Sequence, residues 1–414
     1  MARVAPNASH HHTELGIKGE LLAKTKLAQP LVGIRQTGFE DGNEIETETD
    51  EGHTGTSNLD MGSYRKSAES SPSWEDGCRY GQGFEDYMYL LLANDTVTAH
   101  ATVNGIYNHV FAMPPNVDVD LPVATIYHGF AKTETDARIF NNAMLNEFEF
   151  TMAAEDLPKA NPTFISDYNY INCVNPTRHL LEDHLARTVM AQHTSVYIGD
   201  VGATAEEMLA NPIDCFTEAS FTVNHNAESQ SCHGDTFGVN TKTMGARELT
   251  GSISMPWLSN EGEKLGTKYF ETEFEAYEKY GHIVSEEITQ KQVWYLCEGG
   301  NIIRQSTSDT LSTGEKLVKE VTANSTTTYF IATGIPYKAL FKFPVVEVTN
   351  VTSTKSGNEA KDLTFEWKGI EQPTQSYMTV EMTTDLASCH IDTTGVDLDS
   401  FYPDPEDYPE FATE

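Results

Sequence analysis

Three adjacent imidazoles, His10, His11 and His12, are the first residues in this chain able to hold a metal ion. Imidazole nitrogen binds zinc or copper well, but three neighbours near a chain end fix no geometry, so adventitious affinity is all they promise. His179 and Asp183 lie four apart, with His184 next to them, a spacing that gathers ligands on one face of a helix. A solvated face carrying an ion pair accounts for the same spacing. The cysteines (Cys78, Cys173, Cys215, Cys232, Cys297 and Cys389) are far apart and form no C-x-x-C knuckle, so reduced, mostly buried thiols are expected. Carboxylates are so numerous that acid–base pairs can be drawn anywhere and mean little. No phosphate loop, G-x-S-x-G, H-E-x-x-H or EF-hand pattern occurs. The residues assign no catalytic group, no metal site and no cofactor.

One charge cluster is denser than the rest. Glu40, Asp41, Glu44, Glu46, Glu48, Asp50 and Glu51 follow one another with no basic residue among them. If the segment is extended, Glu44, Glu46, Glu48 and Asp50 line one face. Aligned like charges repel, so that face must look onto water or a supply of cations. It is either a solvated loop or hairpin, or a negatively charged wall facing something that must not stick. A second feature closes the chain: beyond Lys368 there is no Lys or Arg, and Phe401, Tyr402, Tyr408 and Phe411 punctuate an acidic, proline-broken tail. Such a tail is either a solubilising extension or an arm whose aromatics dock on a neighbouring subunit.

Most elements that would position these residues read as strands. Ala219–Val223, Phe148–Met152 and Leu363–Trp367 alternate apolar with polar residues, the period of an antiparallel sheet with one solvated face. Helical signals are few. Asn175-Pro176 opens a candidate helix running to about Gln192, on which Leu180, Leu181, Leu185, Val189 and Met190 fall near helical spacing. Thr204-Ala205-Glu206-Glu207 fits a capping box before a short helix ending near Asn211-Pro212. Phe84 to Ala93 and Leu265 to Tyr280 are two further candidates.

A faint internal repeat links these elements. A basic turn at Gly62–Lys66, a hairpin over Ser67–Trp74 and the helix at Phe84 match the turn Lys242–Arg247, the stretch Leu249–Trp257 and the helix at Leu265. Further on, Ile139–Met152 parallels Leu340–Thr352. The implied organisation is an N-terminal arm (1–16), a first module (17–175), a helical linker (176–213), a second module (214–387) and an acidic tail (388–414).

Composition narrows the function classes. The 414 residues carry 27 Lys and Arg against 62 Asp and Glu, a net charge of −35. That balance excludes a protein that grips nucleic acid or anionic lipid, since such affinity comes from cations displacing counterions. The longest apolar run, Tyr87–Ala93, falls far short of the roughly 20 residues that cross a bilayer. Met1–Leu15 does not resemble a signal peptide. The expectation is a soluble, acidic chain made inside a cell and not membrane-bound.

Three stretches then carry a family resemblance: Gly245–Ile253; Tyr64–Trp74 followed by the helix Phe84–Leu92; and the closing strands Phe341–Thr352, Leu363–Gly369 and Tyr377–Met382. In this order they resemble the tail tube (major tail) proteins of long-tailed bacterial and archaeal viruses, over about 17–387. The chain departs from the simplest members in its length and in the tail beyond Leu386. The resemblance implies a mainly β fold, a tail-tube-type sandwich or small barrel with flanking helices, here in two pseudo-repeated modules. It implies sheets joining edge to edge into rings that stack into a hollow tube for viral DNA. Three two-module chains would complete a pseudo-sixfold ring, with a ring of six chains as the alternative. The implied partners are further copies of the chain, tail tip and tail terminator proteins, a tape measure protein, and DNA that passes without specific binding. The implied place is the virion tail, assembled in the host cytoplasm. On that reading Glu44, Glu46, Glu48 and Asp50 face the lumen, and the tail aromatics bridge subunits. The competing readings are a secreted or cell-surface β-rich adhesin or pilus-like protein, acidity as a high-salt adaptation, and a carbohydrate-binding or carbohydrate-cleaving β protein. For the last of these, Trp74, Trp257, Trp294 and Trp367 are too scattered.

Overall fold

The computed structural model describes residues 12–19, 26–49, 63–113, 121–129, 137–173, 187–210, 212–213, 215–230, 241–257, 290–308, 310–311, 313–354, 361–397 and 400. The chain is mainly β, built from large antiparallel sheets packed in the manner of a sandwich, and the described strands do not close into a barrel. The alternation read from sequence places the core. Ala219, Phe221 and Val223 of strand Glu218–Asn224 point inward, as do Leu363, Phe365 and Trp367 of Lys361–Gly369 and Phe148, Phe150 and Met152 of Ala137–Ala153. Their rings meet those of neighbouring strands: Phe150 and Phe221 lie 5.4 Å apart, Phe221 and Phe341 5.1 Å, Phe343 and Trp367 5.0 Å. Offset and tilted pairs at such spacings add to the hydrophobic gain of burial.

Antiparallel neighbours run from Ser73–Gly77 through Lys159–Asp167, Ala137–Ala153, Glu218–Asn224, Glu248–Trp257 and Lys361–Gly369 to the long strand Thr326–Thr354. That 29-residue strand is the spine of the molecule. Gln290–Ser306 follows one of its edges. The other edge takes three partners in succession: Lys316–Ala323, then Thr379–Thr384, then Lys361–Gly369. Thr379–Thr384 continues to Tyr107–Ala112 and Asp95–Ala99. One bulged strand thus belongs to two sheets and folds them over a common interior.

Helix α1 (Phe84–Leu92) lies in that interior with every residue but Tyr89 buried. It starts at Gly83, whose φ of 99° is the left-handed region; a Cβ there would also come within 2.3 Å of Ile34. Helix α2 (Ala205–Leu209) is closed by the expected capping box, in which Thr204 Oγ1 accepts from the Glu207 N–H and Glu207 accepts from the Thr204 N–H.

Two local expectations are corrected. Ser67–Trp74 is not a hairpin: Ser63–Ser70 pairs with Asn43–Thr49, whereas Ser73–Gly77 pairs with Gln36–Glu40 and Lys159–Asp167. Ser71-Pro72 lacks the φ > 0 residues of a tight hairpin turn, and the chain instead passes from one partner to another there. The linker helix does not reach Gln192. Thr188 bridges Arg79, the Val189 N–H donates to the Cys78 carbonyl, Met190 is extended, and Ala191–His193 forms a single 3₁₀ turn. Burial of Val189 against the core outweighs its helical spacing; residues 174–186, with His179, Asp183 and His184, lie outside the described residues, as does the candidate helix 265–280.

Sheet pairing also crosses the bounds read from sequence. Ala137–Ala153 joins Glu218–Asn224, Tyr107–Ala112 joins Thr379–Thr384, and one hydrophobic core contains side chains from both halves. Strand His12–Lys18 runs through position 16, and Ile391–Asp392 pairs with its end.

Candidate assembly surface and the buried groups behind it

The acidic segment forms strand Asn43–Thr49, and Ser63–Ser70 is its one strand partner among the described residues. Asn43, Glu44, Ile45, Glu46 and Thr47 are all exposed, so over these five positions neither face of the strand is covered. Glu44 stands opposite Glu69, a like-charge pair that stays apart only in water. The backbone of Glu48 continues the strand opposite Tyr64. Asp41 is neutralised by an ion pair with Arg138. Asp50 lies outside the described residues, as do Phe401, Tyr402, Tyr408 and Phe411 and the pair His10 and His11; His12 begins the first strand. No grouping of three or more metal-ligating side chains occurs among the described residues. No described helix is long and apolar enough to cross a membrane.

Both sheets that meet at the spine end in open strands. Lys316–Ala323 pairs only with Thr326–Thr354, and Asp95–Ala99 only with Tyr107–Ala112, among the described residues. The first strand is exposed at seven of its eight positions and the second at four of its five. Leu317 and Val318 are 50% and 54% exposed, which is unusual for such side chains side by side. A cavity of about 480 Å³ opens beside the Lys316–Ala323 edge, lined in part by Lys319, Arg304, Arg187, Tyr337 and Asp385. Arg187 Nη2 donates to Asp385 Oδ2 at 2.8 Å with its guanidinium over the Tyr337 ring, while Arg304 forks onto Glu315 at 2.5 and 2.8 Å.

Behind this surface the chain from Asp385 to Asp392 straps helix α1 to the sheets through charged groups. Asp86 accepts the His390 N–H at 2.8 Å and His390 Nδ1 at 2.9 Å. His109 donates from Nε2 to the Leu386 carbonyl at 2.8 Å and from Nδ1 to Asp95 Oδ2 at 2.9 Å. With an acceptor at each nitrogen, the ring is satisfied as an imidazolium. Burial opposes that charge, but the Asp95 and Leu386 hydrogen bonds outweigh it and raise His109 above its ordinary value. His390 is raised in the same way, against burial, by Asp86. Both Glu85 oxygens accept the Gly81 N–H, yet complete burial, reinforced by Asp86, pushes this carboxyl up to about 7.

Asp76 is a second buried acid. Its Oδ2 accepts from the Tyr87 hydroxyl at 3.1 Å, and Tyr87 accepts from Trp74 Nε1 at 3.0 Å. Trp74 and Asp76 are two apart on one strand, so the alternation that buries the indole also buries the acid. That signal was present in the sequence. Nothing local announced the strap, because His109 and Leu386 are 277 positions apart. No protein-family model and no curated protein matches the chain.

Proposed function

We propose that this chain is the repeating subunit of a hollow virion tail tube. Copies join strand edges into rings, the rings stack, and viral DNA passes through the lumen into the host. The observation that carries this reading is the pair of open, exposed edges at Lys316–Ala323 and Asp95–Ala99. Unpaired edges invite aggregation unless they are blunted or joined, and ring closure joins these two. Lys316 and Lys319 discourage indiscriminate pairing and favour an acidic partner, which a second copy of a chain of charge −35 supplies.

The exposure of Glu44 and Glu46 on strand Asn43–Thr49 supports their lumen assignment. Over a Debye length of roughly 8 to 10 Å, a carboxylate lining repels phosphates and lets the duplex slide. Three chains per ring, or six, give the stoichiometry; tail tip, terminator and tape measure proteins are the partners this role requires. Light scattering and negative-stain microscopy of the purified chain test it. Rings or tubes are expected, and a monodisperse monomer at high concentration across a range of salt would refute it.

A further inference from the structure

A lysine, an asparagine and an aspartate distant in sequence meet at one end of the N-terminal strand. Ala124 pairs with Ile17 on one side and with Ala143 on the other, which sets Lys18 and Asn142 across a single intervening strand. The register slips at this point, and Asn142 has φ +48°, a left-handed conformation uncommon outside glycine. Lys18 Nζ donates to Asn142 Oδ1 at 2.7 Å. Asn142 Nδ2 donates to Asp167 Oδ2 at 2.5 Å, and Asp167 Oδ1 accepts from Lys242. Lys18 is 8% exposed and Asp167 1%.

We propose that Lys18 and Asn142 condense into an intramolecular isopeptide bond, with Asp167 carrying the proton. A hydrogen bond of this length to a carbonyl oxygen leaves the amine about 3.5 Å from the carbonyl carbon, at the outer limit of a near-attack arrangement. The neutral amine attacks Asn142 Cγ, forming the Nζ–Cγ bond and a tetrahedral centre. Asp167 takes the surplus proton from Nζ and passes it to the departing Nδ2. The Cγ–Nδ2 bond breaks and ammonia leaves. Nothing is oxidised or reduced, and one amide replaces another.

Three features favour the step. Burial lowers Lys18 to about 8, with Asp167 opposing and Lys242 adding, so the nucleophilic free amine is accessible near neutral pH. Lys242 keeps Asp167 compensated while it shuttles the proton. The bulge and the φ of Asn142 hold its carboxamide on the amine before reaction, which lowers the entropic barrier. The product would tie strand His12–Lys18 to strand Ala137–Ala153.

Intact-mass spectrometry of the purified full chain, followed by tryptic mapping, tests this. The expected result is a mass lower by about 17 Da, one ammonia, with a branched peptide joining the segments around Lys18 and Asn142 and no cleavage after Lys18. Lys18→Arg and Asp167→Asn should each restore the sequence mass. A wild-type chain at full sequence mass after prolonged incubation at pH 8.5 would overturn the proposal. So would the same loss with Lys18 still cleaved by trypsin, which identifies a succinimide at an asparagine. The wild-type measurement stands alone should either variant fail to fold.

Discussion

Replacing Asp76 by Asn should make the protein more stable at alkaline pH, although it removes a buried group with a hydrogen bond. Asp76 is 2% exposed, and the Tyr87 hydroxyl is a single donor to it. Burial therefore dominates, against the Tyr87 hydrogen bond and the charge of Arg35, and pushes the carboxyl from 3.8 up to about 7. A group raised in the folded state contributes its full stability below the unfolded value. That contribution is lost as pH rises through the folded value. Each tenfold mismatch in proton affinity is worth about 1.4 kcal/mol, so an ionised Asp76 costs the fold on the order of 4 kcal/mol above pH 7. Asn has the same shape, still accepts from Tyr87 and does not ionise. Urea midpoints at constant m-value, taken from pH 4 to pH 9, should coincide for parent and variant near pH 4. They should then diverge in favour of Asp76→Asn up to about pH 7 and run parallel beyond it. Parallel curves over the whole range, or a weaker variant at pH 8, would refute the burial argument.

The strap and the tail give further tests. Asp86→Ala removes both acceptors that hold His390 and should cost about 3 to 6 kcal/mol below pH 6.5, since hydrogen bonds to charged groups carry about 1.5 to 3 kcal/mol each. Because His390 is raised, its contribution is present below 6.5 and fades as pH climbs through the folded value, so the deficit should shrink at pH 9. Amide exchange at Ile391 and Asp392 reads this directly. Deletion of 401–414 spares Asp392, whose carboxylate accepts the N–H groups of Gln29, Thr394 and Gly395. The shortened chain should keep its urea midpoint and lose ring formation if Phe401, Tyr402, Tyr408 and Phe411 bridge subunits, whereas unchanged assembly would leave the tail a solubilising role.

What could be read before folding depended on how local the signal was. Glu218–Asn224 and Lys361–Gly369 were legible because period-two alternation is a property of the segment, and helix α2 because its capping box spans four residues. The Ser67–Trp74 turn misled because both flanking strands take partners from elsewhere, Asn43–Thr49 on one side and Lys159–Asp167 on the other. Glu85 and Asp86 look like ordinary acids at a helix start, a position normally solvated. They are buried because a strap more than 300 positions away covers them. Lys18, Asn142 and Asp167 carried no local mark, since only the sheet brings them together. The exposed acidity of Glu44 and Glu46 was visible at once, as charge spaced by two can lie only on an open face.

Image reconstruction of assembled particles examines the central claim most directly, since it reports both the ring contacts and the inner wall. Rings of three or six chains joined through Lys316–Ala323 or Asp95–Ala99 are expected, with strand Asn43–Thr49 turned inward. Separate subunits with those strands in solvent, or a channel walled by lysine and arginine, would contradict it.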